Sequence, residues 1–445
     1  MPQISRISPI FQILHICVIY GKKTKPRRYI EKRKKSQIGV HIALFFLKKS
    51  EATLKLKTMF YVVKNKIKMK ILLLGEYSRL HNSLKEGLQK LGHDVTILGF
   101  KDGFKDYPVD FPLEKKWDTG FFKKVKVGVM RLTGFDISSY LTYQQFKKNQ
   151  HYFKDFDVVQ LINENTFFCD YRHEKKILDF IFTHNKNVFL LSCGDDYPYV
   201  NYNFNHPEYP SIIQPYLAGK IADKEFSNVL KFRTKSFEKL HHYIYATIQG
   251  VIATDIDYHI PLQNHPKYLG LHPSPMNLDK FPITELDIKD KIIIFHGINR
   301  ESYFKKGNDF FEKALVIIKA KYADKVAILV TENVPYKQYS KSYNQAHIVL
   351  DQLYGHDQGS NALEAMAKGK VVFTNASEVF EKQYHLTEKV AINALPDVDY
   401  IVVQLSFLIE NPEELIAIGK RARLFIEKEH EYLKIAEKYL KIWGI

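Results

Sequence analysis

The chain has 445 residues, of which 45% are hydrophobic and 14% aromatic, a composition that suits two or three folded domains and excludes a disordered chain. Its net charge of +17 is concentrated at one end, because residues 1–68 hold 17 basic and two acidic side chains while the rest of the chain holds 49 and 47. A nearly neutral body excludes a nucleic-acid-binding face. The three cysteines match neither a metal site nor a disulfide framework, which favours a reducing compartment.

The basic extension, residues 1–68, contains two apolar runs, FQILHICVIYG and VHIALFFL. Both are shorter than the ~20 residues that a membrane-spanning helix needs, and no convincing signal-peptide cleavage site follows them. Two interpretations remain open. The extension is a basic arm that lies on anionic lipid, or translation begins at Met69 and the extension is not part of the working protein. We favour the second.

The segment that begins at Met69 has the pattern strand, helix, strand: KILLLGEY, RLHNSLKEGLQKLG and HDVTILGF. Two apolar runs with a helix between them predict a βαβ unit and a parallel sheet. Gly75 ends the first strand, at the sheet edge where α/β proteins bind ligands. The loop GEYSRL has one glycine where a dinucleotide fingerprint needs three, so the sequence does not favour NAD binding.

Further strands are predicted in residues 155–163, 187–196 and 250–255, with a helix between the first two. Residues 271–287 contain three prolines, which is typical of a linker, and KIIIFHGIN then opens a second α/β series. The predicted divisions are an N-terminal Rossmann-like acceptor-side domain, a linker, a C-terminal Rossmann-like domain and a C-terminal helix that packs back on the first domain: residues 69–275, 276–290, 291–425 and 426–445.

Residues 351–375, DQLYGHDQGSNALEAMAKGKVVFTN, predict a loop, a short helix, a turn and a buried strand. The amides of Gly359 and Ser360 lie at the start of the helix, where unpaired N–H groups and partial positive charge suit a phosphate. Glu364 follows within the helix and could bind a sugar hydroxyl. The alternative is that Glu364 only stabilises its own helix.

A second polar loop, HGINRESYFKKGNDFF, follows the first strand of the second α/β series. Its Arg300, Lys305 and Lys306 precede a helix, and such cations suit a diphosphate whose charge they neutralise. The alternative is a solvated charged loop. Because this loop and the Glu364 loop are predicted at the same sheet edge, we expect them to converge on one cleft.

These motifs resemble the retaining glycosyltransferases of GT-B fold, in particular glycosyltransferase family 4 (glycosyl transferases group 1). The dipeptides NR at 299–300 and KG at 306–307 precede LEAMA at 363–367 and GKVV at 369–372, in the family's order. HPSPMNLDKF and LLSCGDDYP are weaker matches in the first half. The resemblance covers about residues 69–440 and implies an α/β protein with two Rossmann-like domains facing across a cleft.

The resemblance also implies roles for individual residues. Arg300 and Lys306 would bind the diphosphate of the donor, together with the amides of Gly359 and Ser360, and Glu364 would bind the ribose. Gly75 would line the loop that faces donor and acceptor. Asp195 or its neighbour Asp196 would lie near the acceptor or the transferred sugar. Neither a metal ion nor a cofactor is expected, because cationic side chains and a helix dipole would replace Mg²⁺.

The sequence departs from the family where its Glu-x7-Glu motif requires the first glutamate, because His356 stands at that position. Asp357 and Gln358 follow, so a shift of one residue could supply a carboxylate. We therefore name His356, Asp357 and Asp195 as the candidate catalytic residues. His356 could bind a sugar hydroxyl or a phosphate, or it could be an ordinary surface histidine.

The function implied by the resemblance is a cytoplasmic hexosyltransferase-type enzyme that uses a nucleotide-diphosphate sugar. Its acceptor would be a glycan or a lipid-linked intermediate of bacterial surface polysaccharide, namely lipopolysaccharide, capsule or exopolysaccharide. A peripheral contact with anionic lipid at the inner face of the cytoplasmic membrane is left open. Two alternatives also remain: a sugar-nucleotide 2-epimerase of the same architecture, and a non-catalytic relative that binds glycan or membrane.

Overall fold

The computed structural model describes residues 68–101 and 107–444. The expectations for the basic extension therefore lie outside the described residues, apart from Lys68. The described chain contains two parallel β-sheets, of seven and five strands, each with helices packed around it. This architecture confirms the α/β class and the prediction of two Rossmann-like domains.

The first domain is built on the seven-stranded sheet, with strand order β3-β2-β1-β4-β5-β6-β7 and every pairing parallel. Its strands are β1 (Lys70–Leu74), β2 (Asp94–Phe100), β3 (Phe111–Leu113), β4 (Val158–Leu161), β5 (Val188–Ser192), β6 (Gly250–Ala253) and β7 (Tyr268–Leu271). Its helices are α1 (Leu80–Lys90), α2 (Gly120–Thr133), α3 (Ile137–Asn149), α4 (Tyr171–His184), α5 (Tyr197–Asn205), α6 (Gln214–Leu217), α7 (Asp223–Leu230), α8 (Lys235–Thr247) and α9 (Ile256–Leu262).

The second domain is built on the five-stranded parallel sheet, with strand order β12-β11-β10-β8-β9. Its strands are β8 (Ile292–Ile298), β9 (Val326–Glu332), β10 (Ile348–Leu350), β11 (Val371–Thr374) and β12 (Ile392–Asn393). The helices that follow β7 in the chain are α10 (Tyr303–Lys306), α11 (Asn308–Lys321), α12 (Tyr336–Gln345), α13 (Ser360–Ala367), α14 (Glu378–Tyr384), α15 (Val398–Glu410), α16 (Pro412–Glu429) and α17 (Tyr432–Ile442).

The central strands are apolar on both faces because helices cover both sides of each sheet. Leu72 and Leu74 of β1 belong to one buried cluster, whereas Ile71 and Leu73 point to the opposite face. Burial of such side chains on two faces contributes most of the stability of a sheet of this kind. Among the described helices, none is both long and apolar enough to cross a bilayer.

Helix α17, the last in the chain, packs on the first domain. Ile435 and Tyr439 are fully buried in the cluster formed by one face of β1 and by α1. Close approach of α1 depends on Gly87, because a Cβ at that position would lie 2.7 Å from the carbonyl oxygen of Tyr432. The C-terminal segment therefore ties the second half of the chain to the first sheet.

Direct contacts join the two domains elsewhere. The Lys220 ammonium of the first domain donates to Asp309 of α11 at 2.7 Å. The backbone N–H of His356 donates to Asp257 of α9 at 2.9 Å. Phe304 of α10 packs against the first-domain core. These contacts come from α9, α10 and α11 and from the loops before α7 and α13.

Candidate active site

A cavity of about 430 Å³ opens at the carboxyl edge of the second sheet. The strand order places β8 between β10 and β9, so the chain leaves β8 at the point where the direction of the crossovers reverses. Ligands of open α/β sheets bind at such a point. We call this space the second-domain cavity; it is lined by Gly297, Ile298, Asn299, Glu301, Ser302, Lys306, Thr331, Asn333, Val334, Tyr339, Val349, Leu350, Asp351 and Asn361.

An ion pair lies in the second-domain cavity. The Nζ of Lys306 donates to Oδ1 of Asp351 at 2.7 Å. The other oxygen, Oδ2 of Asp351, is buried and has no hydrogen-bond partner among the described residues. Since an ammonium has three N–H donors, Lys306 can hold Asp351 and still donate to a ligand oxygen in the cavity.

The turn after Lys306 fixes the position of its side chain. Gly307 has φ 73°, a left-handed conformation that disfavours other residues, and a Cβ there would lie 2.4 Å from Cδ1 of Leu353. The backbone N–H of Leu353 also donates to the carbonyl of Lys306 at 3.2 Å. The KG dipeptide therefore packs directly on the loop that follows β10, and Asp351 lies in that loop.

Helix α13 begins at the residues that the sequence indicated. Gly359 is its N-cap, Ser360 is its first residue, and Glu364 is buried one turn further on. Glu364 and Ser360 face a narrow crevice of about 10 Å³ instead of the larger cavity, which Asn361 lines. The Tyr107 hydroxyl of the first domain donates to Oε1 of Glu364 at 3.5 Å. The start of α13 thus separates the second-domain cavity from an interdomain crevice.

Arg79 of the first domain lines the same crevice as Glu364, and the sequence reasoning missed it. Its guanidinium pairs with Glu86 at 3.2 Å and lies 5.6 Å from the ring centre of Tyr107. A cation beside the start of α13 suits an anionic or hydroxyl-rich ligand. The available signal was its place in GEYSRL, the loop after the first strand, in which the sequence analysis named only Gly75 as a site residue.

Arg300 does not line the second-domain cavity. It donates two hydrogen bonds to Glu332, from Nε at 2.7 Å and from Nη2 at 2.6 Å, and its guanidinium lies over the ring of Tyr303. Both members of this pair are exposed. The polar segment after β8 and the segment around the start of α13 therefore converge on the second-domain cavity through Lys306 and Asn361, whereas Arg300 lies at its rim. Its role in binding a diphosphate stays a prediction.

His356, which replaces the expected glutamate, is buried next to the domain interface. Neither ring nitrogen has a hydrogen-bond partner among the described residues, and the ring lies 6.0 Å from that of Tyr209 in the first domain. Burial lowers the pKa of His356, so the imidazole is neutral at pH 7 and can both donate and accept. The histidine is therefore not an ordinary surface residue.

Asp357 lies within hydrogen-bonding distance of several groups of the protein. Its carboxylate accepts from the backbone N–H of Gln358 at 2.8 Å and from that of Ile256 at 3.2 Å, and the Tyr384 hydroxyl lies 3.4 Å away. Burial raises the pKa of Asp357 to about 6. These hydrogen bonds connect the loop before α13 to the start of α9. A catalytic role for Asp357 stays a prediction.

Asp357 is one of three carboxyl groups that lie together at the start of α9; Asp357 is buried, and Asp255 and Asp257 are half-buried. Burial, followed by the negative charge of Asp357, raises the pKa of Asp257 to about 8. The pKa of Asp255, the N-cap of α9, is raised well above its usual value by burial and then by Asp257 and Asp357. The interface therefore holds carboxyl groups that burial and mutual repulsion keep partly protonated at neutral pH.

A second large cavity, of about 440 Å³, opens at the edge of the first sheet. The point where the first sheet's crossovers reverse lies between β1 and β4, and residues after both strands line this space. We call it the first-domain cavity. Its lining residues are Tyr77, Phe100, Lys115, Lys116, Asp118, Lys126, Asp136, Ser138, Thr142, Asn163, Asn165, Phe167, Phe168, Asp195, Asn228, Lys231 and Phe232.

Asp195 lines the first-domain cavity, whereas its neighbour Asp196 has a structural role. Burial raises the pKa of Asp195, an effect that the positive charges of Lys305 and Lys231 oppose. Asp196 is the N-cap of α5 and accepts from the backbone N–H of Tyr199 at 2.9 Å. Of the two residues left open by the sequence, Asp195 is the one that a ligand in this cavity can reach.

Gly75 is buried and does not line either cavity. Its φ is 90°, and a Cβ there would lie 2.2 Å from Cγ2 of Ile162, so a glycine is needed for β1 to end against β4. The residue that faces the first-domain cavity after β1 is Tyr77. Gly75 thus shapes the loop, and its place in donor binding stays a prediction.

The residues that the structure describes include no group of three or more His, Cys, Asp or Glu side chains that could hold a metal ion. The candidate site instead offers an ammonium, a helix start and buried carboxyl and amide groups. Metal-independent chemistry stays a prediction.

Comparisons with known proteins agree with this geometry. Residues 305–441 match the family model of glycosyl transferase-like domains, a segment that begins one residue before Lys306 and ends within α17. Sucrose-phosphate synthase from Thermosynechococcus elongatus has a similar fold, with TM-score 0.56 and 12% identity over 85% of this chain and 98% of that one. No curated protein sequence gives a significant match.

Two further solved structures resemble the chain less closely. The HepE protein of Anabaena, in complex with UDP and glucose, has TM-score 0.49 and 10% identity over 84% of this chain and 99% of that one. UDP-GlcNAc 2-epimerase from Neisseria meningitidis, bound to UDP-GlcNAc, has TM-score 0.46 and 13% identity over the same shares of the two chains.

The matched domain and the fold define the class of protein. The chain has the GT-B fold, and its residues 305–441 match the model of glycosyl transferase-like domains. Lys306, Asp351 and Asn361, which line the second-domain cavity, all lie in that segment, as does Glu364 of the neighbouring crevice.

Proposed function

We propose that the chain transfers a sugar from a nucleotide-diphosphate sugar, bound by the second domain, to a glycan or lipid-linked acceptor bound by the first. The observation that carries the proposal is the second-domain cavity, where the Lys306 ammonium and Asn361, near the start of α13, face one space of about 430 Å³. A cation and free helix N–H groups are the partners that phosphate oxygens need.

In the proposed donor complex, Lys306 neutralises charge on the diphosphate while Glu364 or another polar group near the start of α13 binds the ribose. The bond between the anomeric carbon and the diphosphate oxygen breaks, and a bond from that carbon to an acceptor oxygen forms as the acceptor hydroxyl loses its proton. Charge that builds up on the leaving diphosphate is stabilised by groups that are already in place, which is how such sites lower a barrier. We propose that transfer proceeds with retention and without a metal ion.

The proposed acceptor site is the first-domain cavity. Phe168 and Tyr77 offer aromatic faces, and Asn163, Asn165 and Asp195 offer hydrogen-bonding groups, which together suit a sugar ring. Lys305 connects the second domain to this proposed acceptor site. Its ammonium lies 5.1 Å from the ring centre of Phe226 in the first domain, and its positive charge opposes the rise in the pKa of Asp195. The proposed setting is the synthesis of bacterial surface polysaccharide in the cytoplasm.

The proposal is tested first by donor binding. A thermal-shift screen with UDP-, GDP- and ADP-sugars should give one nucleotide class that raises the unfolding temperature, since a ligand at 100-fold its Kd adds about 2.7 kcal/mol. Glu364→Ala should weaken that binding at least about tenfold in isothermal titration while the variant remains folded. Wild-type affinity in the variant would refute the assignment of Glu364.

The second test separates transfer from isomerisation. The purified chain is incubated with the identified donor, with and without an added glycan or lipid-linked acceptor, and the sugar products are analysed. A glycosylated acceptor supports the proposal, and inversion at the sugar's C2 without transfer would favour the epimerase alternative. No stabilisation by any nucleotide would favour the non-catalytic alternative.

A further inference from the structure

Helix α2 of the first domain exposes an unusual number of apolar side chains. None of its 14 residues is buried, and Leu132 and Phe121 are 87% and 73% exposed. Phe122 and Met130 are 56% and 46% exposed on the same helix. A cluster of large exposed apolar side chains on a single helix marks a surface that contacts another apolar phase.

The same helix is strongly basic. Its sequence, GFFKKVKVGVMRLT, contains four basic residues and no acidic one. Phe121 and Leu132 are 11 residues apart, close to three full turns, so they lie on one side of the helix, with Lys124 and Arg131 beside them. Phe and Leu side chains flanked by Lys and Arg are typical of helices that lie in the interface of an anionic membrane.

We propose that α2 is a docking surface for an anionic phospholipid bilayer, with Phe121 and Leu132 inserted among the lipids and Lys124 and Arg131 at the headgroups. The positive charge of α2 favours an anionic bilayer as its partner over a second copy of the chain or residues 1–67. A second copy would bring an equally basic helix, and residues 1–67 carry 16 basic and only two acidic side chains. Both would be repelled by α2, whereas anionic headgroups are attracted.

Docking through α2 would bring the first-domain cavity to the bilayer. Lys126 of α2 lines that cavity, as do Asp118 just before the helix and Asp136 and Ser138 just after it. A lipid-carried acceptor would then present its headgroup at the cavity while its tails stay in the bilayer. This consequence rests on the proposed function, whereas the docking itself does not, because it needs neither donor nor turnover.

Tryptophan fluorescence provides a local test in the full chain. The chain has two tryptophans, and Trp117 lies 5.1 Å from the ring of Phe122, whereas Trp443, at the end of α17, is buried in the core of the first domain. In Trp443→Phe, the remaining fluorescence reports on the surroundings of α2. Vesicles of brominated phosphatidylglycerol and phosphatidylcholine should quench it, and vesicles of brominated phosphatidylcholine alone should quench it much less.

Matched variants distinguish insertion of α2 into the bilayer from a non-specific effect of exposed apolar side chains elsewhere on the surface. Phe121→Ser with Leu132→Ser should lower vesicle partition by about tenfold or more, as should Lys124→Glu with Arg131→Glu. The control, Val316→Ser with Leu424→Ser, replaces two exposed apolar residues of α11 and α16 and should partition like the parent chain. Thermal unfolding of each variant checks that it is folded.

Three results would overturn the proposal. The first is vesicle binding that leaves Trp117 unquenched, which would assign the contact to another surface such as residues 1–67. The second is unchanged partition of the Phe121 and Leu132 variant, and the third is equal quenching by neutral and anionic vesicles. Each result can be obtained without any glycosyltransferase activity, so failure of the proposed reaction would leave the docking test intact.

Discussion

The ion pair between Lys306 and Asp351 gives the sharpest prediction for the second-domain cavity. Asp351 is 3% exposed and Lys306 28% exposed, and their Oδ1 and Nζ atoms are 2.7 Å apart. Lys306→Met leaves a buried carboxylate without its partner. Breaking a fully buried pair costs about 3–5 kcal/mol, and because water partly reaches Lys306 we expect about 2–3 kcal/mol here. Adding Asp351→Asn removes the unpaired charge and should restore most of the loss.

Donor binding should respond differently from stability. A charge-assisted hydrogen bond to phosphate contributes about 1.5–3 kcal/mol, so Lys306→Met should weaken nucleotide-sugar binding by roughly tenfold to a hundredfold. The double variant should unfold near the wild-type urea midpoint and yet bind the donor as weakly as the single variant. Urea unfolding and isothermal titration measure the two quantities. Normal donor affinity in the double variant would remove Lys306 from the site, and a wild-type midpoint in the single variant would refute the stability argument.

Three further predictions follow from individual contacts. Arg300→Ala should weaken donor binding less than Lys306→Met in titration, because its guanidinium is held by a neighbouring carboxylate at the rim; an equal loss would show that it enters the cavity. Asp257 has a pKa raised to about 8, mainly by burial. The fold therefore loses stability as pH rises from about 4, the pKa of an aspartate in the unfolded chain, to about 8, the pKa of Asp257 in the fold. Asp257→Asn should gain stability over wild type between pH 5 and pH 8 in thermal unfolding, and a constant difference would contradict this. Gly75→Ala should destabilise more than Gly92→Ala, since both have positive φ but only the first meets a side chain; equal unfolding temperatures would refute the packing argument.

The fold was predictable from the sequence where apolar runs are long and bounded. KILLL, VFLLS and VVFT form β1, β5 and β11 within the predicted segments, since central parallel strands need no alternation. The edge strand β3 was not predicted, because it has three residues and a central proline, which an edge tolerates. Helix α2 was also missed, because a helix that buries none of its side chains has no core-facing pattern to read.

The sequence predicted the candidate site only for residues in loops at the ends of neighbouring strands. Lys306 and Asp351 follow β8 and β10, which are neighbours in the sheet, so the order of the motifs was enough to bring the two loops together. Arg79 comes from the other domain, and no spacing in one sequence encodes a contact across a cleft. The carboxyl cluster that joins Asp257 to Asp357 was hidden for the same reason, since the two residues are 100 positions apart.

Helix α10 connects the donor side of the site to the first domain. Successive residues of a helix point about 100° apart, so neighbours in this short helix face different partners. Lys306 holds Asp351 in the second-domain cavity, whereas Lys305 lies over the Phe226 ring of the first domain and acts on Asp195. A ligand-induced movement of α10 that brings Lys306 closer to a diphosphate would also move Lys305. We expect donor binding and domain closure to be coupled through this helix, which would assemble the acceptor side only when a donor is present and so limit hydrolysis by water.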